Sequence, residues 1–184
     1  DLNSDDVLDE QDRTKIGDPW PDFVYGLSLG ATWKGFDFNV FFQGSQGNDV
    51  LNMTLRDFES GTGTMNARED FLNRAWNGEG STDKYHRISA EQGQNSEISD
   101  YFVEDGSYLR LKNLQLGYNF CERLLKIKGI SYLRLYVSAQ NLFTLTKYSG
   151  LDPEIGSSNA TLNGIDQGFY PQARTWTVGL NIKF

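Results

Sequence analysis

The feature that most constrains this chain is the strict two-residue alternation of its last ten residues, 175–184. Small or polar side chains alternate there with the apolar side chains of Trp176, Val178, Leu180, Ile182 and Phe184. A period of two places the two sets on opposite faces of one β-strand. In a soluble sheet, an apolar strand that ends on an aromatic residue is an aggregation hazard. The pattern therefore favours a strand whose apolar face meets lipid and whose edge pairs within a closed barrel.

Composition is compatible with such a barrel but not with transmembrane helices. The mean hydropathy is −0.53, and the sequence has no apolar run of the roughly 18 residues that a spanning helix needs. Barrel strands escape this limit because half of their residues face a polar interior. The chain begins at Asp1 without an initiator Met or a signal-peptide pattern, so we expect it to be the tail of a longer polypeptide. The single cysteine, Cys121, cannot form an internal disulfide.

The net charge of −8 is concentrated in two segments. Residues 1–22 contain eight acidic and two basic side chains, and residues 47–106 contain twelve acidic and five basic ones. We interpret both segments as loops. Because phosphate binding requires a basic face, nucleic acid is not an expected partner.

Three further strands are predicted upstream from the same alternation. Residues 23–33 and 36–43 flank the short turn Lys34–Gly35, which predicts a hairpin of two strands long enough to cross a tilted barrel wall. Residues 132–140 are predicted to form another strand. Its apolar positions are Leu133, Leu135, Val137 and Ala139.

The segment 107–120 alternates too, but its parity changes partway along. Leu109 and Leu111 share one parity, whereas Leu114, Leu116, Tyr118 and Phe120 share the other. A β-bulge near Lys112–Asn113 would bring all of these apolar side chains onto one face. The alternative is that the upper part of this strand stands clear of the membrane.

The side of the membrane follows if the last strand descends to the periplasm. The turns at Lys34–Gly35 and Cys121–Ile130 are then periplasmic. The chain divides into an extracellular loop at 1–22, a hairpin at 23–46, a long extracellular loop at 47–106, a hairpin at 107–146, an extracellular loop at 147–172 and a closing strand at 173–184. Short inner turns and long outer loops are typical of outer-membrane barrels. A soluble antiparallel sandwich is the alternative, but nothing in the sequence supplies a second sheet.

Four stretches, at 1–44, 103–120, 133–154 and 168–184, together resemble SusC/RagA-type TonB-linked outer-membrane proteins. The resemblance covers nearly the whole chain, apart from the middle of the 47–106 loop. It implies an all-β transmembrane barrel of 22 antiparallel strands in the outer membrane of a Gram-negative cell, of which this chain supplies the last five. It also implies an N-terminal plug, energy from the TonB complex, a SusD-like surface lipoprotein as partner, and oligosaccharide or peptide cargo.

The first twelve residues carry oxygen ligands at the spacing of an EF-hand calcium loop. Asp6 stands where glycine usually makes the turn, and Asp12 replaces the longer bidentate glutamate; aspartate tolerates the left-handed conformation better than most residues. The alternative is a solvated acidic loop. The predicted Ca²⁺ ligands are Asp1, Asn3, Asp5, Asp9, Asp12 and the backbone carbonyl of Val7.

A short amphipathic helix is predicted in the long loop. Asn66 is predicted to be its N-cap, with Glu69 as the capping-box partner. The apolar face would be Phe71, Leu72, Ala75 and Trp76. It could dock on the partner lipoprotein, but packing within the loop is the more common use of such a face.

The remaining candidate residues give no sign of enzymatic chemistry. His86 has no partner at nucleophile or zinc spacing, and Asp152, Glu154 and Asp166 do not have the spacing of an acid–base pair. Phosphate loops, Cys-His clusters and nucleophile elbows are absent from the sequence. Rings in the predicted loops could stack on sugars, although ordinary packing explains most such residues; they are Trp20, Trp76, Tyr85, Tyr101 and Phe102.

Three functions remain open at this point. The first is import of nutrient oligomers through a TonB-dependent outer-membrane barrel. The second is a receptor of the same barrel class for siderophores or vitamin-type ligands, and the third is a secreted β-module that binds carbohydrate. In the first two, polar and ring side chains would line the lumen, among them Asn39, Gln43, Tyr132, Tyr136 and Gln140.

Overall fold

Antiparallel strands dominate the structure, which is a computed structural model. It describes residues 2–7, 9–59, 66–82, 84–88, 94–120, 129–156 and 160–184. The described residues form nine strands: β1 (Phe23–Trp33), β2 (Phe36–Gln46), β3 (Asp49–Asn52), β4 (Val103–Asp105), β5 (Tyr108–Phe120), β6 (Tyr132–Gln140), β7 (Thr144–Thr146), β8 (Ile165–Asp166) and β9 (Thr175–Lys183). They also form the helices α1 (Met53–Glu59) and α2 (Glu69–Arg74), with 3₁₀ turns at Glu10–Asp12, Gln94–Ser96, Asp100–Phe102 and Ala160–Leu162. None of these helices is long and apolar enough to cross a membrane.

The chain divides into two compact units. The sheet unit comprises Pro21–Asn48, Gly106–Glu154 and Phe169–Phe184. The loop unit comprises Asp1–Trp20, Asp49–Asp105 and Ile155–Gly168. Each unit is described separately below.

The sheet unit contains one antiparallel sheet in the order β1-β2-β5-β6-β9, and β7 also pairs with β5. The predicted turn at Lys34–Gly35 joins β1 to β2, and both of its residues have positive φ, 46° and 92°. Two positive φ values are typical of the two-residue hairpin turn that matches the twist of the strands. The predicted turn at Cys121–Ile130 lies largely outside the described residues.

The predicted bulge in the third long strand is confirmed. Phe41 pairs with Asn113 and Phe42 pairs with Leu111, so Lys112 is the extra residue on β5. On the other side of β5, regular pairing stops at Gln140 and resumes at Thr144 in β7. One extra residue exchanges the faces of all following side chains, which explains the change of parity in the sequence.

Strand register gives the sheet one apolar face and one polar face. One row across the apolar face consists of Leu29, Val40, Leu114, Ala139 and Trp176, each paired with the next. The outer strands leave this face open, since Leu29 is 52% exposed and Val178 is 72% exposed, whereas Val40 and Ala139 on the inner strands are buried. All strands described in the sheet unit belong to this one sheet, so the unit does not form the alternative sandwich.

The loop unit has a small sheet and an apolar interior. β3 pairs antiparallel with β4 and parallel with β8. The fully buried side chains are Val50, Phe71 and Phe102. Much of the 47–106 segment therefore folds on itself, and its strands of three or four residues are too short for alternation to reveal them.

Candidate functional site

The polar face of the sheet unit collects the side chains that the sequence predicts for a lumen. The predicted residues Asn39, Gln43, Tyr132, Tyr136 and Gln140 all lie on this face. The same face carries further polar residues that the sequence analysis did not single out. They include Asn113, Gln115, Ser138, Thr175 and Thr177.

A hydrogen-bonded ion pair occupies this face near the Lys34–Gly35 turn. Arg134 Nε donates to Asp37 Oδ2 at 2.9 Å, and Asn119 Nδ2 donates to the same oxygen at 3.0 Å. The hydroxyl of Tyr132 donates to Asn119 Oδ1 at 2.6 Å. Gly117 lies on β5 next to Asp37 and Arg134, and a Cβ atom at this position would come within 2.7 Å of both side chains. Glycine at this position therefore makes room for the ion pair.

A second ion cluster is centred on Arg110, which is 2% exposed. Its guanidinium donates to Thr144 Oγ1 at 2.8 Å, to Glu154 Oε2 at 2.7 Å and to Asp152. Lys112 Nζ donates to Glu154 Oε1 at 2.8 Å. Two cations and two carboxylates thus neutralise one another, as a buried charge requires.

The cluster attaches segment 152–154 to β5. Besides Arg110, the backbone N–H groups of Gln172 and Glu154 donate to the Asp152 carboxylate, at 2.8 and 2.9 Å. Burial acts to raise the pKa of Asp152, but these donors outweigh it and hold the pKa below its usual range. Asp152 is therefore ionised at neutral pH, and it connects Arg110 with the backbone of Glu154 and Gln172.

The sequence analysis missed this cluster because its members are far apart in the chain. Asp152 and Glu154 lie about forty positions from Arg110, and alternation alone says nothing about which loop crosses the face of which strand. An arginine on a polar strand face, with two carboxylates flanking Pro153 in the next loop, is the only signal that could have indicated it. Asp166, the third carboxylate considered, lies in β8 of the loop unit.

In the loop unit, a buried carboxylate organises the predicted ring residues. Glu59 is 3% exposed, and Tyr101 donates its hydroxyl to Glu59 Oε2 at 2.7 Å. Burial, followed by the adjacent Glu59 carboxylate, raises the pKa of Tyr101 well above its usual range. His86 Nε2 lies 2.7 Å from the carbonyl oxygen of Glu59, and its ring contacts Phe71. These contacts indicate a packing role for His86.

The predicted N-cap of the loop helix is wrong. Helix α2 begins at Glu69 with Arg68 as N-cap and without a side-chain capping bond. Arg68 instead forms a two-point contact with Asp70, with N–O distances of 2.9 and 2.7 Å. This ion pair holds Arg68 extended at the helix start, so Asn66 lies too far upstream to cap it. The helix ends at Arg74, before Trp76.

The predicted apolar face of this helix is divided between the interior and the surface. Phe71 and Ala75 are buried, whereas Leu72 and Trp76 are exposed. Among the other rings considered for sugar stacking, Phe102 is buried and Trp20 is exposed. Exposed rings of the loop unit are thus Trp20 and Trp76.

The predicted calcium ligands can be placed only in part, because Asp1 lies outside the described residues. Asp6 has a φ of 64°, the left-handed conformation that position 6 of a calcium loop requires. The side chains of Asp5, Asp9 and Asp12 accept backbone N–H groups within the segment. Among the described residues, no three His, Cys, Asp or Glu side chains converge as a metal site. Calcium binding by this segment stays a prediction.

Comparison with known proteins identifies the chain's relatives. No family profile matches the chain. It is 43% identical over its whole length to TonB-dependent receptor P3 of Formosa agariphila, covering 18% of that protein. It is also 34% identical over its whole length to TonB-dependent receptor SusC of Bacteroides thetaiotaomicron, covering 17% of that protein.

Solved structures agree with these sequence relatives. The RagAB peptide importer in its open-open state matches 90% of this chain with a TM-score of 0.75 and 30% sequence identity, and 17% of the RagAB chain is covered. The closed-closed state matches 90% of this chain with a TM-score of 0.74 and 31% identity. The chain thus spans less than one fifth of the length of its relatives. A six-stranded sheet with one apolar and one polar face, together with similarity over the full chain, identifies it as a segment of a SusC/RagA-type TonB-dependent receptor.

Proposed function

We propose that this chain forms part of the barrel wall of a TonB-dependent importer that brings nutrient oligomers across the outer membrane of a Gram-negative cell. The observation that carries the proposal is the antiparallel sheet of the sheet unit, which has an apolar face on one side and a polar face on the other. The receptors to which the chain is similar support the same function.

The apolar face is the surface expected to meet lipid. β1 and β2 each have 11 residues, and a tilted strand of about 9–11 residues spans the hydrocarbon core. On this face, Leu29 of β1 and Val178 and Leu180 of β9 are exposed. In water, an apolar surface of this extent would drive aggregation, whereas in a bilayer it is solvated.

The polar face is the surface expected to line the passage for cargo. Its hydrogen-bonding side chains can hold an oligomer without any covalent step, so we expect no enzymatic activity. The cargo would be oligosaccharide or peptide. RagAB, one of the similar structures, is a peptide importer, and SusC is similar to this chain at a comparable identity.

Two partners complete the proposal. The loop unit would lie at the extracellular side and contact a SusD-like surface lipoprotein, with the exposed Leu72 and Trp76 as candidate contact residues. The TonB complex would act through parts of the protein outside this chain. The alternative, a siderophore or vitamin-type receptor, is less favoured because the relatives include SusC and a peptide importer.

Uptake by cells that lack the complete receptor tests this function. We expect these cells to lose growth on peptides or oligosaccharides as the sole nutrient, and to regain it from the plasmid-borne gene only when TonB is present. The receptor should be extracted from membranes only by detergent, migrate differently on gels when unheated, and co-purify with a surface lipoprotein. Recovery of the folded protein in the soluble fraction would contradict the proposal.

A further inference from the structure

Two basic residues lie just beyond the apolar face of the sheet unit, at the end of the sheet opposite to the Lys34–Gly35 turn. Arg174 directly precedes β9, and Lys147 directly follows β7. Both residues are exposed. We call this pair of residues the basic rim.

The alternation of the strands places both residues of the basic rim on the apolar side of the sheet. Residues two apart on a strand point to the same face. Arg174 is two residues from Trp176, which belongs to the apolar face and is 66% exposed. Lys147 is two residues from Leu145, which pairs with Leu109 and is 60% exposed. Each cation therefore follows the last apolar side chain at this end of its strand.

The other basic side chains described in the sheet unit are engaged or lie elsewhere. Those in ion pairs with carboxylates on the polar face are Arg110, Lys112 and Arg134. Lys34 and Lys183 lie at the opposite end of the sheet, in the hairpin turn and at the end of β9. By contrast, neither Arg174 nor Lys147 has an ion-pair or hydrogen-bond partner for its side chain among the residues that the structure describes. The two charges of the basic rim are therefore available to a ligand.

In the described strands of the sheet unit, no carboxylate lies on the apolar side to compete for the basic rim. The acidic side chain that these strands carry is that of Asp37, which lies on the polar face. Asp152 and Glu154, in the loop after β7, are held by Arg110 on that polar face. An anion that approaches the apolar side at this end of the sheet would meet positive charge without repulsion from a neighbouring strand carboxylate.

The basic rim lies at the depth of lipid headgroups if the apolar face meets lipid. β9 has nine residues, which is about the number that carries a tilted strand across the hydrocarbon core. Arg174, directly before β9, then lies at the boundary of that core, and Trp176 is the kind of ring that is enriched at this level. With the last strand descending to the periplasm, this boundary is the extracellular one.

An anionic lipid fits this combination better than a free anion does. Its phosphate can accept hydrogen bonds from the Arg174 guanidinium, which matches phosphate with two parallel donors, and from the Lys147 ammonium. Its acyl chains can lie on the exposed side chains of Leu145, Trp176 and Val178. A free phosphate would gain only the attraction of two exposed charges, which salt screens. The apolar face thus distinguishes the lipid from a soluble anion.

We propose that the basic rim binds phosphate groups of an anionic lipid in the outer leaflet of the outer membrane, with the acyl chains of that lipid on the adjoining apolar face. The inference rests on the proposed function, in which the sheet unit is part of the barrel wall. It adds a lipid-binding site on the outside of that wall, separate from the polar face that would meet the cargo.

Retention of lipid A by the complete, purified receptor tests this site. The receptor is reconstituted in nanodiscs of phosphatidylcholine with either lipid A or dephosphorylated lipid A and is returned to neutral detergent, and native mass spectrometry then counts the lipids that stay bound. We expect lipid A to be retained and its dephosphorylated form to be lost. The double variant Arg174→Gln with Lys147→Gln should weaken retention about tenfold. The matched control, Arg13→Gln with Lys15→Gln, removes the same charge from exposed positions in the loop unit and should leave retention unchanged.

The exchange variant Arg174→Lys with Lys147→Arg keeps both charges and should still retain lipid A. If the double variant does not fold, which migration on an unheated gel reveals, the comparison of the two lipids on the unaltered receptor still decides. Release of lipid A by excess inorganic phosphate, equal retention of the dephosphorylated form, or equal loss in the control pair overturns the basic rim as a lipid site. TonB-dependent uptake that continues in the double variant leaves the import proposal intact, whereas folded receptor in the soluble fraction would remove both proposals.

Discussion

The loop unit and the sheet unit differ in where their apolar side chains lie. In the loop unit, Phe71 and Phe102 are 1% exposed and form an interior, as in a soluble domain. In the sheet unit, Leu29 and Val178 lie at the surface although Val40 and Leu111 are buried, and the most buried large side chain is that of Arg110. The loop unit is thus stabilised mainly by burial of apolar area, whereas the sheet unit depends on its backbone pairing, on polar clusters and, in the proposed barrel wall, on lipid. The two units should therefore be sensitive to different kinds of substitution.

The largest change in the free energy of unfolding is expected when an apolar residue replaces Arg110, the buried cation of the sheet unit. Arg110→Met should destabilise the receptor by about 3–5 kcal/mol, because the Asp152 carboxylate stays buried without its main partner. Urea unfolding of the complete receptor in detergent measures this change. Lys112→Met is the control on the same strand, and it should cost much less because Lys112 is partly exposed and shares Glu154 with Arg110. An unchanged free energy of unfolding for Arg110→Met would show that the ion cluster does not stabilise the sheet unit.

A slightly smaller effect is expected from a charge on the apolar face. Leu29→Arg should cost about 2–4 kcal/mol if this side chain meets lipid, whereas an exposed position in water would tolerate arginine. Ser28→Arg is the matched control, since it places the same charge one residue away on the polar face. The fraction of receptor that migrates as a folded barrel on an unheated gel gives the comparison. Equal effects, or the reverse order, would show that the two faces are assigned wrongly.

In the loop unit, removing one hydroxyl tests whether its interior behaves like that of a soluble domain. Tyr101→Phe keeps the ring but deletes the hydrogen bond to the buried Glu59, so we expect a local loss of about 1–3 kcal/mol. Hydrogen exchange of peptides from α1 and α2 should speed up, while peptides from β1 and β2 stay unchanged. Tyr85→Phe is the control, because the hydroxyl of Tyr85 is not engaged with Glu59. Uniform change across both units would mean that they do not open separately.

The ion cluster should also respond to acid. The pKa of Asp152 is lower in the folded receptor than its ordinary value of 3.8, so its contribution to stability is fully present above that value and is lost as the pH falls through the lower folded pKa. Protection of the Glu154 and Gln172 amides, which donate to Asp152, should be constant from pH 7 to 5 and decrease below about pH 4. Peptides containing Leu114 provide the control. Constant protection down to pH 2 would contradict the role of the carboxylate.

Sequence patterns revealed the sheet unit far better than the loop unit, and the reason is the length of their elements. Strands of nine to thirteen residues repeat the alternation often enough to show which residues share a face, where a turn lies and where the bulge at Lys112 falls. The strands of the loop unit have two to four residues and carry no such signal. The same limit applies to Arg110 and Asp152, whose contact depends on the path of a loop. At Asn66, a local rule predicted a cap, and the ion pair between Arg68 and Asp70 prevailed.

The smallest effect is expected in the acidic segment at the start of the chain, which has neither the strands of one unit nor the interior of the other. Asp5, Asp9 and Asp12 lie close together in sequence, and the left-handed φ of Asp6 allows the turn that a calcium loop needs. Calcium would relieve their mutual repulsion and order residues 1–12, with the weak affinity of about 10⁻⁴–10⁻³ M that is typical of extracellular sites. Terbium luminescence of the complete receptor should rise and be displaced by calcium, and Asp5→Asn with Asp9→Asn should abolish it. The control pair Asp57→Asn and Glu79→Gln removes the same charge elsewhere in the loop unit and should leave the signal unchanged. Equal loss in both pairs would reduce the effect to general acidity of the surface and would exclude a built calcium loop.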